Sequence, residues 1–280
     1  MTDGQIGNDD DRWIYTEDNP FRALSTAAQL AGAARVLKGY NDALSKECLD
    51  IAIAVYDQTQ VSGMMEGMKM QAAVELYLTT GEQRYLDFVL DHQELAVRGI
   101  SRSGWYMTRL VKKMEQMNDP RAKKFAEAFR AALPNYRAEL EKQAAETPYG
   151  VPYRPSIWGA GWDIQRFGFE YYFLTSAYPD IFPKETVLHA LNFILGCHPG
   201  SNTASFASGV GAKSATVAYG LNRADWSYIP GGVVSGTALI RPDFPELLEF
   251  PFLWQQVEYV LGGGSSHYMF LVLAAQQLLK

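Results

Sequence analysis

A chain of 280 residues, 48% hydrophobic and 20% charged, has the composition of a globular protein and enough length for one large core, so a single domain over 1–280 is expected. The formal charge of −6, with no lysine- or arginine-rich run, argues against nucleic acid as a partner. No apolar stretch reaches the ~18 residues of a membrane span; the nearest, 268–279, is short and contains two glutamines, so no membrane partner is expected.

Helical periodicity appears first over 20–40, where Leu24, Ala27, Ala28, Leu30, Ala31, Ala34 and Leu37 share one face. The same pattern predicts helices over 45–56, 63–79, 82–97, 106–117, 120–145, 163–176, 184–195, 250–260 and 268–279. Pro134 falls inside the 120–145 segment and removes a backbone donor, so a kink or a junction between two helices is expected there. Links such as Thr79-Thr80-Gly81-Glu82 and Met117-Asn118-Asp119-Pro120 are short, as in antiparallel helix hairpins. No strand ladder is legible, and the expected fold class is all-α, built from stacked helix pairs.

Two segments break this rhythm. The first, 146–162, is rich in proline, glycine and aromatics; the second, 196–249, is far longer than a normal connection, and long ordered loops in compact domains are usually functional. They hold Tyr149, Tyr153, Trp158 and Trp162 in one, and Phe206, Tyr219, Trp226 and Tyr228 in the other. Flat rings suit the C–H-rich faces of sugars as well as apolar contacts generally, and for any single ring packing down on the core is the plainer reading. Cys48 and Cys197 lie far apart and read as two buried thiols rather than a disulfide. The N-terminal residues are polar and acidic, with nothing resembling an export signal.

Several stretches, in the right order, resemble glycoside hydrolase family 9, the cellulase-like inverting enzymes. Asp9-Asp10-Asp11-Arg12-Trp13-Ile14-Tyr15-Thr16-Glu17-Asp18-Asn19 resembles D-H-x-x-W-x-x-P-E-D-M, lacking its histidine and proline. Trp158-Gly159-Ala160-Gly161 is similar to W-G-S-N at the start of a helix, and Phe193-Ile194-Leu195-Gly196-Cys197-His198-Pro199 to Y-L-L-G-x-N-P. Ser205-Phe206-Ala207-Ser208-Gly209-Val210-Gly211 resembles S-Y-V-x-G-x-G, and Pro230-Gly231-Gly232-Val233-Val234-Ser235-Gly236 loosely resembles P-G-x-L-V-G-G. Near the C-terminus, Trp254-Gln255-Gln256-Val257-Glu258-Tyr259 is similar to Y-x-x-N-E-V, which gives Glu258 the position of the proton donor.

The resemblance implies an (α/α)6 barrel of the six-hairpin glycosidase type, an oligosaccharide or polysaccharide substrate, no cofactor, and an exported parent protein. It also implies differences. The family's H-P-H-H-R run is replaced by Asn222-Arg223-Ala224-Asp225-Trp226, so substrate specificity is expected to differ. Its D-A-G-D run, whose aspartates activate the attacking water, belongs ahead of the first matching stretch and does not occur. Periodicity gives about ten helices where six hairpins need about twelve. Together these lead to the expectation that the barrel is incomplete at its N-terminus, with the catalytic base on a missing segment of the same parent.

Inverting hydrolysis needs a carboxylic acid for the leaving oxygen and a carboxylate ~6.5–9.5 Å away to activate water. Glu258 is the candidate acid, since the apolar stretch before it could raise its proton affinity; a solvated glutamate at a helix end is the plain alternative. Glu246 and Glu249 read as helix-start charges complementing the dipole. Asp9, Asp10 and Asp11 read as a hydrated loop, and no metal site is expected. Trp13, Trp158, Trp162, Trp226 and Trp254 are candidate subsite walls, Arg223 and Asp225 candidate sugar-hydroxyl partners, and His267 a candidate orienting group. Two other readings stay open: a carbohydrate-binding or structural helical module without chemistry, and another (α/α)-barrel enzyme such as a polysaccharide lyase or epimerase.

Overall fold

The computed structural model describes residues 3, 5, 7, 8, 19–147, 150–152, 159–197, 205–214, 230–234 and 263–280. The chain divides into two compact units, Met1–His92 and Gln93–Lys280. Among the described residues the regular structure is helical, apart from one antiparallel bridge between Ala207 and Val233. No helix among them is long and apolar enough to cross a membrane.

The first unit holds α1 (Pro20–Leu37), α2 (Asp42–Gln58), a 3-10 turn (Gly63–Met65), α3 (Glu66–Thr80) and α4 (Gln83–Asp91). The helix starts follow from their caps. Asn19 accepts from the Arg22 amide at 3.0 Å with Pro20 at the first helical position, and Asn41 accepts from the Leu44 amide at 3.1 Å. Gly81 ends α3 at φ 74°, a left-handed conformation open to glycine without strain. Helix α1 packs against both α2 and α3, and its Leu24, Ala27, Ala28, Ala31 and Ala34 are buried. The face expected from periodicity is the face that packs, with Leu30 and Leu37 half-buried at its margin.

The second unit holds α5 (Gln93–Arg98), α6 (Ile100–Met114), α7 (Pro120–Ala145), α8 (Ala160–Ala177), α9 (Glu185–Ile194) and α10 (Gly263–Leu278). Asp119 caps α7 by accepting from the Arg121 amide at 2.8 Å. Helix α7 passes through Pro134 as one element, so the expected junction is absent. The lost hydrogen bond is offset by burial of Phe125, Phe129, Leu133 and Leu140, worth about 1.5–3 kcal/mol for each large side chain. Helix α8 packs against α6, α9 and α10. Where it meets α9 and α10 it carries Gly168, at which a Cβ would lie 2.8 Å from Ala190 Cβ and 2.9 Å from Leu271 Cδ1.

Three further features differ from expectation. The segment expected as one helix over 82–97 is two, separated at His92, whose backbone (φ −112°, ψ 21°) leaves the helical region. Helix α6 begins earlier than expected, at Ile100, because Ser103 donates its hydroxyl to the Ala96 carbonyl at 2.8 Å and Gly104 admits Leu174 to 3.4 Å from where a Cβ would sit. Cys197 is exposed, not buried, because it lies past the last turn of α9, beyond Gly196 at φ 110°; Cys48 is buried on α2, and both are free thiols.

Candidate active site

Four of the stretches singled out in the sequence come together at the N-terminal end of α8. The helix starts after Gly159, held at φ 92°, so the chain enters it through a left-handed residue. Gly161, in the first turn, faces the ring of Phe206, and an added Cβ there would overlap that ring. Phe206 in turn stacks on Phe193 of α9, with centroids 5.4 Å apart and planes 21° apart. Segments 159–161, 193–196 and 205–211 thus meet around one aromatic ring.

Segment 205–214 is tied down by backbone hydrogen bonds without forming a sheet. Phe206 N donates to Ile194 O at 2.7 Å and Ala212 N to Leu195 O at 2.8 Å, which fixes the loop to the end of α9. Ser205 is buried, and its hydroxyl lies 3.1 Å from Ile194 O and 2.8 Å from Ala207 O. Gly211 (φ 83°) has no room for a side chain, since a Cβ would sit 2.5 Å from Leu195 O. The fourth stretch joins through the Ala207–Val233 bridge: Ser208 N donates to Gly232 O at 2.8 Å, and Val234 N to Phe206 O at 2.8 Å.

Trp162 and His267 are the two sequence-selected site residues within the described set. Trp162 is half-buried, one residue beyond Gly161 in the first turn of α8. His267 lies in the second turn of α10, its ring stacked on Phe169 of α8 at 5.1 Å and 11°. Phe169 also meets Trp105, Phe173 and Phe270, so the imidazole caps one side of an aromatic cluster shared by α6, α8 and α10. Burial, reinforced by the Arg166 cation, holds this imidazole below the ordinary histidine range. It is therefore neutral at neutral pH, and its Nδ1 has no hydrogen-bond partner among the described residues.

The structure adds groups that motif reading passed over. On α8, Asp163, Arg166 and Glu170 stand at i, i+3 and i+7, with Arg166 Nε 3.2 Å from Glu170 Oε1. Burial pushes the Glu170 carboxyl up to about 7; Arg166 opposes that rise and Asp163 adds to it. A signal for this was present. Phe167, Phe169, Tyr171, Tyr172 and Phe173 place rings on every side of this helix, and a carboxylate among them cannot be fully hydrated.

Trp13, Trp158, Arg223, Asp225, Trp226, Trp254 and Glu258 lie outside the described residues, as do Asp9, Asp10, Asp11, Glu246, Glu249 and the helix expected over 250–260. Among the described residues no group of three or more histidine, cysteine, aspartate or glutamate side chains could hold a metal ion.

The model of glycosyl hydrolase family 9 matches residues 6–220, which takes in three of the four converging stretches and stops short of Glu258. No curated protein sequence matches the chain significantly. Among solved structures, an endoglucanase from the termite Nasutitermes takasagoensis aligns with a TM-score of 0.70 at 16% identity, over 94% of this chain and 66% of that one. The catalytic domain of CelT from Clostridium thermocellum aligns with a TM-score of 0.69 at 15% identity, over 93% of this chain and 61% of that one. The cellulase Cel9M of C. cellulolyticum gives 0.65 at 18% identity, over 93% and 64%. The chain thus spans 61–66% of the length of these three structures. The likeness shows the fold, the all-α (α/α)6 class expected from the sequence.

Proposed function

This chain belongs to glycosyl hydrolase family 9, and from that premise we propose that it forms part of an enzyme cleaving a β-linked glucan by inversion, with Glu258 as the general acid. The observation that carries this reading is the convergence of segments 159–161, 193–196, 205–211 and 230–234 around Phe206. These stretches were singled out for their order along the chain, and they form one packed cluster. Trp162 stands at its edge, and its half-buried ring supports a role as a sugar-stacking wall. Trp13, Trp158, Trp226 and Trp254 as further walls, Arg223 and Asp225 as hydroxyl partners, and His267 as an orienting group belong to the same proposal. Treating 1–280 as one catalytic domain is supported by a family match that runs across the division after His92.

General acid catalysis of this kind contributes ~10²–10⁴-fold, which sets the size of the effect to be sought. The test is hydrolysis of β-1,4-gluco-oligosaccharides, followed by NMR of the new anomeric centre. The expected product is the α-anomer, and Glu258→Gln is expected to lower the rate by roughly 10²-fold or more. Hydrolysis that Glu258→Gln leaves untouched overturns the assignment of the acid. Oligosaccharide binding abolished by Trp162→Ala, with no turnover, favours the binding-module reading, and an unsaturated product indicates a lyase.

A further inference from the structure

A cleft of ≈ 480 Å³ opens where α8 ends, α9 begins and α10 ends. That volume lies within the ~300–1,000 Å³ of small-molecule sites. Pro179, Pro183 and Leu278 give it apolar surface, and Thr175, Ser176, Lys184 and Glu185 give it polar groups. At ~1.5 Å of rise per residue, Thr175 lies ~20 Å along α8 from Trp162.

Thr175 is the residue that asks for an occupant. It is 4% exposed, and its hydroxyl has no hydrogen-bond partner. The other buried threonines among the described residues, Thr108 and Thr147, bond to the carbonyls of Trp105 at 3.1 Å and Ala144 at 3.0 Å. An orphaned buried hydroxyl is costly, and in folded proteins nearly all such groups find a partner. Threonine in a helix has two accessible χ1 rotamers, and passing between them moves the oxygen relative to the cleft wall.

The charges narrow the choice of partner. Lys184 donates to the Leu278 carbonyl at 3.1 Å and keeps further N–H donors, while Glu185, exposed in the first turn of α9, is an acceptor. A cation and an anion at one cleft disfavour a ligand of strong net charge of either sign. Two hydroxyls that both donate and accept, next to apolar surface, match a ring with hydroxyls at its rim and C–H groups on its faces.

We propose that this cleft binds a neutral pyranose unit, with Thr175 and Ser176 as hydroxyl partners, Lys184 as donor and Glu185 as acceptor. The choice of a β-glucoside rests on the family 9 reading; the polar set of the cleft does not. Its role is to retain a glucan chain or a released product, not to cleave.

The test is NMR of the methyl-labelled full chain titrated with cellobiose, and separately with inorganic phosphate. Cellobiose is expected to move the Thr175 and Leu278 methyl signals and to saturate at millimolar concentration. Thr175→Val keeps the shape and removes the hydroxyl. It is expected to weaken this binding about fivefold or more without lowering the unfolding midpoint, since the hydroxyl bonds to nothing in the free chain. Ser176→Ala is expected to weaken it about threefold. Signals that stay in place overturn the site, as does phosphate moving them more strongly than cellobiose, or binding that survives Thr175→Val unweakened. Should Thr175→Val not fold, Ser176→Ala, on exposed surface, decides, and unchanged binding overturns the site. Cleavage is read separately. A blank cleft in a chain whose β-glucan hydrolysis depends on Glu258 strikes this site alone, and cleft binding without turnover leaves it standing.

Discussion

Arg35 on α1 reaches across to Glu75 on α3, its Nη2 donating to the carboxylate at 2.7 Å while its Nη1 donates to Thr79 Oγ1 at 2.7 Å and to the Glu75 carbonyl at 3.3 Å. The Glu75 side chain is 7% exposed and that of Arg35 33%, so the pair is shielded from solvent mainly on the acid side. The fork geometry suits arginine and not lysine, because two separate donor nitrogens engage the side chains of Glu75 and Thr79, one helical turn apart, together with the Glu75 carbonyl.

Replacing Arg35 by methionine keeps much of the apolar stem and removes every one of these donors. Breaking a well-buried pair costs about 3–5 kcal/mol, and partial exposure of Arg35 places the expected loss nearer ~2–3 kcal/mol. The same change at Arg98, whose pair with Glu94 is about four-fifths exposed on both sides, is expected to alter stability by less than ~0.5 kcal/mol. Urea unfolding of the two variants side by side measures the difference.

Glu170 gives stability a pH dependence of a definite sign. Its carboxyl titrates at about 7 in the folded chain against 4.5 for the unperturbed group, so the folded state holds the proton more tightly. The stabilisation associated with that proton is complete below pH 4.5 and is lost as pH rises toward 7, by on the order of 3 kcal/mol in all. Glu170→Gln, which cannot ionise, is expected to flatten this slope and to be more stable than the unaltered chain at pH 8. Thermal unfolding from pH 4 to 8 checks it, and a slope identical in both proteins would refute it.

Gly168 and Gly67 should respond oppositely to alanine. At Gly168 the new methyl would meet Ala190 and Leu271 at 2.8 and 2.9 Å, forcing α8 away from α9 and α10; the expected loss is about 1–3 kcal/mol. At Gly67 nothing lies within 4 Å, so the helix α3 should gain ~0.5–1 kcal/mol from reduced freedom of the unfolded chain. Paired denaturation curves decide both.

The two thiols should react at different rates. Cys197 is exposed and Cys48 buried, so a disulfide-exchange reagent is expected to count one thiol promptly in the folded protein and a second only on unfolding. Cys197→Ser should abolish the prompt count.

Most helices were legible because their apolar spacing matches their burial, and α7 was found with both ends in place since Asp119-Pro120 caps it and Ala145 closes it. The break at His92 was not legible. Neither glycine nor proline marks it, and a change of direction made by an ordinary residue leaves no compositional trace. Around the candidate site, the glycines read well for a physical reason: Gly161 and Gly211 stand where a Cβ would strike Phe206 or the Leu195 carbonyl, so close approach is written into residue type. The Asp163-Arg166-Glu170 triplet was missed because its spacing is also that of any solvated helix face. Its effect arises from the rings of neighbouring helices, which sequence order does not bring together.

The clasp between Ala207 and Val233 has an engineering corollary. Residues 205–214 and 230–234 are bound to each other by the Ser208–Gly232 and Phe206–Val234 hydrogen bonds, and the first stretch is also bound to the end of α9. Closing a flexible insert between two ends already held together costs little more as it lengthens, only ~0.6 kcal/mol for each doubling. A different insert grafted between positions 214 and 230 should therefore leave the packing around Phe206 and the unfolding midpoint nearly unchanged.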